Sequence, residues 1–241
     1  MLNCLNIFIK TVFKPKLKGN YFSYFCAPIM NTKTIMKKLV LLLTLSLPLL
    51  TTAQDKATIG INAGSTLSSI IVNDDASDYA FDFMLGVSCE VPLKNNFSLL
   101  ANVNYERKTG KVMIEDIYNS NNEVTAKFRM HYITIPVNLK YYIGAKKNFF
   151  IHAGPYAGIF IDDTFIYDGK AQTNEISGGS DFKRMDFGIT SGIGTRIPVS
   201  DRNSITLGLR SNIGLSNVSD MPDYNFKTNS FNFVFTWENI L

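Results

Sequence analysis

Eight stretches of this chain alternate apolar and polar residues with a period of two, and nothing past residue 54 repeats with the 3.6-residue period of a helix. They run over about 57–68, 79–91, 96–109, 126–143, 148–166, 182–198, 203–215 and 227–237. Successive side chains of a β-strand point to opposite faces, so each stretch predicts a strand with one apolar and one polar face. In "HYITIPVNLKYYIG" Ile133, Ile135, Val137, Leu139 and Tyr141 share one face, against Thr134, Pro136, Asn138 and Lys140. In "FDFMLGVSCEV" the apolar set runs from Phe81 to Val91 and the other set holds Asp82 and Glu90. Taken alone, such a strand fits a soluble sandwich with its apolar face inward or a membrane protein with that face outward.

The connections decide between the two. "SIIVNDDASD", "KTGKVMIEDIYNSNNEV", "DGKAQTNEISGGS" and "SNVSDMPDYNF" are long, and between them "PLKNN", "GAKKN" and "PVSDRN" are short. Strict long–short alternation puts all long loops at one end and all short turns at the other. That layout predicts an all-β fold over residues 54–241, an eight-stranded antiparallel up-and-down transmembrane β-barrel. Loops 69–78, 110–125, 167–181 and 216–226 are then expected at the cell surface. Closure is required because an open sheet edge in lipid leaves unpaired backbone N–H and C=O groups.

This reading sorts the side chains. Ile133, Ile135, Val137 and Leu139 are expected to face lipid. Phe97, Tyr141, Phe149, Phe235 and Trp237 fall at the short-turn ends of their strands and Tyr105 at a long-loop end, where amphipathic rings favour membrane interfaces. The inward set carries Asp82, Glu90, Glu106, Lys140, Asp186, Arg196 and Arg210. The interior of an eight-stranded barrel is filled by its own side chains, so these charges predict a plug paired across the lumen, with an acidic neighbour for Lys140. Gly188, Gly192 and Gly194 share the inward parity and leave room for bulky neighbours such as Tyr156 and Phe160.

The front of the chain belongs to another process. Lys37 and Lys38 precede an apolar run of twelve from Leu39 to Leu50, and Thr51-Thr52-Ala53 supplies small residues for cleavage, so 36–53 reads as a secretory signal peptide. Twelve apolar residues fall short of the roughly 20 that a spanning helix needs. Residues 1–35 hold five Lys, no acid and no clear period, and read as a misassigned upstream segment with translation starting at Met36. The whole chain has a net charge of +4, but residues 1–53 contribute seven Lys and no acid, which leaves the rest at −3. The basicity is therefore no argument for nucleic acid. Of three Cys only Cys89 lies beyond residue 53, on an apolar strand face, so no intrachain disulfide is expected.

"YITIPVNLKYYIG", "FFIHAGPYAGIF" and "DFGITSGIGTRIPV" resemble the outer-membrane β-barrel domain common in Bacteroidetes, the porin-like and PorT-like small barrels, and the "TAQ" cleavage region looks like that phylum's. The resemblance implies outer-membrane localisation after export, and it transfers no catalytic residues. This chain departs from the pattern by ending in "FTWENIL" rather than on an aromatic residue. His131 and His152 have no placed carboxylate for a metal, the pairs Asp74-Asp75 and Asp162-Asp163 lack the spacing of a Ca²⁺ loop, and no nucleophile–base constellation is present. The expectation is a non-enzymatic protein without cofactor or metal. Its partners are outer-membrane lipid and, through its loops, other envelope proteins. Three alternatives make different predictions: a narrow porin-like channel, a PorT-like accessory of secretion machinery, and a soluble periplasmic lipocalin-like barrel, which would carry its apolar parity inside.

Overall fold

The computed structural model describes residues 57–241 apart from 74, 116–122, 145, 168, 173–181 and 221–222. The segments read above as upstream region and signal peptide, and the middles of three long loops, lie outside the described residues. Ten antiparallel strands follow in chain order: β1 (Thr58–Val72), β2 (Asp75–Ala76), β3 (Asp78–Pro92), β4 (Phe97–Glu115), β5 (Glu123–Ile143), β6 (Phe149–Tyr167), β7 (Lys170–Gln172), β8 (Met185–Pro198), β9 (Asn203–Gly214) and β10 (Phe226–Ile240). The eight longer strands pair in sequence order and the last pairs with the first, so the sheet is a closed ring. The two short strands are appendages, β2 on the end of β1 and β7 on the end of β6.

The closing ladder runs without interruption from Thr58↔Ile240 to Val72↔Phe226. Both ends of the described chain meet at the short-turn end, where the Leu241 amide donates to the Ala57 carbonyl at 2.8 Å. The turns at that end are tight, and two of them reverse the chain through left-handed backbone at Asn95 (φ 64°) and Gly144 (φ 80°), residue types that tolerate it.

Two expected loops turn out to be largely strand. β1 continues to Val72, so little of 69–78 is left to loop. β4 and β5 continue past the expected limits, paired from Thr109↔Arg129 to Glu115↔Glu123, so 110–125 is mostly a projecting hairpin. The reason is that a ladder standing clear of the apolar belt has no need to bury one face. Alternation fades there while backbone pairing persists.

Side chains sort by parity. Even-numbered positions such as Asn62, Asn104, Glu106, Asn138, Lys140, Asp186, Thr190 and Asn232 are buried inside the ring. Odd-numbered Ile61, Leu85, Val87, Leu139, Ile151, Ile193 and Phe233 are exposed outside it. The apolar set therefore points out, the reverse of the lipocalin-like alternative. At the long-loop end the interior changes character. Ile70, Val72, Phe128, Met130, Phe182, Val218 and Phe226 form a buried apolar cluster inside the ring, with Phe160 and Phe165 packed against it. Polar parity along the strands does not foretell this cap, because Phe182 and Val218 reach it from connections.

Glycines set how closely the walls pack. A Cβ on Gly188, Gly192 or Gly194 of β8 would overlap Tyr156, His152 and Phe150 of β6, so the room expected there is taken by those three rings and not by Phe160. A Cβ on Gly154 would overlap the backbone of Val137 and Asn138 in β5, which cannot swing aside as a side chain does. Gly154→Val is expected to lower stability by about 1–3 kcal/mol. The check is the urea midpoint of the refolded chain, with the exposed Gly144→Asn turn variant close to wild type.

Candidate functional site

The interior is the candidate site, built as tiers along the axis. Nearest the short turns, Glu90 of β3 faces Lys140 of β5, whose Nζ lies 2.8 Å from Oε2. Tyr142 donates its hydroxyl to Glu90 Oε1 at 2.7 Å and accepts from Arg196 Nη1 at 3.0 Å. Arg196 in turn lies 2.8 Å from Glu238 of β10, which also accepts from Ser204 and Thr206 at 2.9 Å each. The Lys140 ammonium stands 3.9 Å above the Phe150 ring, which replaces part of its lost hydration. One network thus ties five strands of the ring together.

In the middle tier Glu106 accepts from Ser230 at 2.7 Å, Asn232 at 3.0 Å and Asn212 at 3.3 Å. Arg210 is buried with its Nη2 3.0 Å from the Met84 sulfur, a weak acceptor. A cavity of about 40 Å³ between these tiers is lined by Asn102, Lys140, His152, Arg210 and Glu238 among others. Its size suits a few water molecules and not a solute path.

Towards the long loops Asp186 of β8 accepts from Lys108 Nζ at 3.0 Å, Thr228 at 2.7 Å, Ser216 at 3.0 Å and Tyr156 at 3.1 Å. The Lys108 ammonium also lies 5.1 Å from the Tyr132 ring and 4.9 Å from the Tyr156 ring. Asp82 pairs with Arg129 Nε at 3.1 Å and accepts from the Thr109 hydroxyl. Above this tier sits the apolar cap.

The structure therefore places Glu90, Glu106, Lys140, Asp186 and Arg210 buried inside the ring, with Arg196 half-buried at its short-turn mouth and Asp82 buried in the wall against Thr109 and Arg129. They do not meet in one cluster. Each carboxylate collects its own donors, and the shared element is spacing along the axis. Three partners escaped the sequence reading. Lys108 has inward parity within its expected strand, next to its end, and Glu238 has inward parity one residue beyond its own. Arg129 has outward parity and reaches Asp82 where the β3–β4 register shifts between Tyr79 and Met84. The histidines separate: His152 is inside beside Lys140 in register, while Tyr105 engages His131 on the outer wall. Among the described residues no group of three or more His, Cys, Asp or Glu is placed to hold a metal ion.

Outside the ring, Ile133 and Ile135 are half-buried and Val137 and Leu139 exposed. Phe97 and Tyr141 are directly opposite across β4–β5 with ring centroids 4.9 Å apart. Phe149, Phe235 and Trp237 are exposed on the same belt near the short turns, and Tyr105 lies near its other edge. Cys89 is exposed there as well.

Residues 48–220 match the family model of the outer membrane protein beta-barrel domain. Comparison with curated proteins gives no match. Similar solved structures include Neisserial surface protein A, at 11% identity and a TM-score of 0.44, covering 76% of this chain and 97% of that one. The outer membrane protein OprG from Pseudomonas aeruginosa aligns at 12% identity and 0.44, covering 78% and 97%. E. coli Outer Membrane Protein W aligns at 12% and 0.41, covering 78% and 100%.

The buried Lys108–Asp186 pair has a measurable consequence. Lys108→Met strips Asp186 of its cation and is expected to cost about 3–5 kcal/mol, because a buried charge loses its partner. Lys108→Met with Asp186→Leu removes both charges and is expected to recover most of that loss. Urea unfolding of the three chains in phospholipid vesicles provides the comparison.

Proposed function

Because the chain belongs to the outer membrane protein beta-barrel domain family, we propose that its ring is an integral eight-stranded barrel of the outer membrane with a structural or interaction role. Its location is the outer membrane. The observation that carries the reading is the pairing of a closed backbone with an outward apolar belt. Every longer strand is hydrogen-bonded on both sides, and the exposed positions over most of its height are Ile, Leu, Val and Phe. Water gives such a surface no compensation, and lipid removes the cost. In this orientation Ile133, Ile135, Val137 and Leu139 meet acyl chains, and the aromatic residues near the short turns mark the periplasmic interface.

The same reading assigns the loops 69–78, 110–125, 167–181 and 216–226 to the cell surface, where other envelope proteins are their partners. It assigns 36–53 to export, and it groups the chain with the porin-like and PorT-like small barrels of Bacteroidetes on the strand motifs quoted above. The reading of a closed plug over a channel is supported by charges tied across the ring, by a cavity of about 40 Å³ between the two lower tiers, and by the apolar side chains that cap the lumen. The role is non-catalytic in this reading, because the buried carboxylates are engaged in holding walls together.

Trp237 is the sole tryptophan, stands on the belt, and serves as a native probe. Its fluorescence is expected to be strongly quenched when the full chain is reconstituted in vesicles of brominated phosphatidylcholine, and planar-bilayer recordings are expected to show no stable conductance. Trp237 emission indifferent to bromine would sink the membrane-spanning reading, and reproducible conductance steps would replace the plug with a pore.

A further inference from the structure

The outward face is not apolar to the top of every strand. On β5 the outward series Tyr141, Leu139, Val137, Ile135, Ile133 continues as His131, Arg129 and Lys127. On β4 the series Phe97, Leu99, Ala101, Val103, Tyr105 continues to Arg107, with Lys111 one turn of the pleat beyond Thr109. The register sets Arg107 opposite His131 and Lys111 opposite Lys127. The opposite walls carry nothing of the kind: outward positions on β8 from Met185 to Ile197 and on β9 from Ile205 to Ile213 hold no charged residue.

Like charges directly opposite on neighbouring strands repel and destabilise the pair. Lys111 and Lys127 accept that cost on a surface where any polar residue would serve. Carboxylates reach only the margins. Asp82 takes Arg129, while Asp78 lies opposite Lys111 on its other side and Asp162 opposite His131. Among the described residues Arg107, Lys111 and Lys127 have no carboxylate within 4.0 Å. Arg107 is nonetheless held in place. Its guanidinium lies 4.3 Å over the Phe83 ring and its Nε donates to the Tyr105 hydroxyl at 3.3 Å, which leaves both Nη groups free for an acceptor.

Height identifies the acceptor. With a rise of about 3.3 Å per residue and a tilt near 40°, Arg107 stands roughly 25 Å above Phe97, and Lys111 and Lys127 about 35 Å above the Phe97–Tyr141 pair. The apolar band of outer-membrane barrels is about 25 Å tall, which sets Arg107 at its far edge and the two lysines in the headgroup layer beyond. The cations therefore straddle the far headgroup layer, on the same wall whose lower part meets acyl chains. We propose that Arg107, Lys111 and Lys127 form a binding site for the anionic phosphomonoester headgroup of a membrane lipid in the leaflet at the long-loop end. The bound phosphate relieves the Lys111–Lys127 repulsion and closes Arg107's open donors, so lipid and wall stabilise each other. The inference rests on the membrane-spanning reading above.

The test is thermal unfolding of the full chain in nanodiscs of phosphatidylcholine, whose phosphodiester is zwitterionic, alone or doped with lipid A, which carries anionic phosphomonoesters. Wild type is expected to gain about 5–10 °C from the doped discs. Lys111→Gln with Lys127→Gln is expected to match or exceed wild type in phosphatidylcholine and to gain little from doping, while Lys111→Arg with Lys127→Arg keeps the gain. Should the glutamine pair not refold, Arg107→Gln reads the same loss. Equal gains in wild type and glutamine variants overturn the site. An equal gain from inorganic phosphate in undoped discs assigns it to a soluble anion and overturns the lipid. Brominated lipid in the same discs separates the two readings: quenched Trp237 with no gain on doping defeats this inference alone, and unquenched Trp237 defeats the barrel reading beneath it.

Discussion

The hydrogen-bond ladder between β1 and β10 is what the rest of the structure depends on. It joins the first long strand to the last, from Thr58↔Ile240 to Val72↔Phe226. Within a bilayer no water exists to satisfy a free edge, and each unpaired N–H or C=O costs several kcal/mol or so. An open sheet of the same strands would carry two such edges. Closure removes both, and it then dictates the remaining choices. A ring this narrow leaves inward side chains no solvent, and a ring in lipid leaves outward ones no polar partner.

The interior answers the first demand by exchange of volume and charge. Bulky residues on β6 face glycines on β8, Tyr156 against Gly188, His152 against Gly192 and Phe150 against Gly194, so the wall thickens on one side where it thins on the other. Charges follow the same economy. Glu90, Glu238 and Asp186 each take a cation and at least one hydroxyl, drawn from strands on different sides of the ring. Buried pairs of this sort add little net stability compared with apolar packing. Their effect here is to fix which strand lies across from which, a register that an apolar lumen facing an apolar exterior would leave ambiguous.

Alternation made the strands and their two faces legible in the sequence wherever both demands act together. Ile133 to Leu139 and Asp82 to Glu90 are such places, because an apolar exterior on one side and a packed lumen on the other constrain every residue. It became silent where one demand lapsed. The hairpin from Thr109 to Arg129 stands beyond the belt, so its pairing persists without a period; Lys108, Asp186's partner, lies within the expected stretch at its fading end and does not stand out there. Glu238 was hidden for the same reason at the other end. The apolar cap is a different failure. Phe128 and Phe226 have the inward parity expected of polar residues, and Phe182 and Val218 arrive from connections. Period-two reading assigns a face to a residue, but it does not assign the height at which the face changes chemistry.

That change of chemistry with height also explains why the outer wall is informative. Below Tyr105 and Ile133 an outward charge would sit in hydrocarbon, at a cost of some 2–4 kcal/mol near the midplane. Above them the cost vanishes, and the outward face is free to carry anything. On β8 and β9 the outward face stays apolar and uncharged to the long-loop end, with Met185, Phe187 and Ile213 exposed. On β4 and β5 the positions from Arg107 to Lys111 and from His131 to Lys127 instead hold a run of basic residues. Opposed lysines are an arrangement an isolated sheet disfavours; Asp78, opposite Lys111 on its other side, offsets part of that cost, and an acceptor outside the sheet would offset the rest. The step from Ile133 to His131 is thus the point where the chain stops being shaped by what lipid excludes and begins to be shaped by what the membrane surface offers.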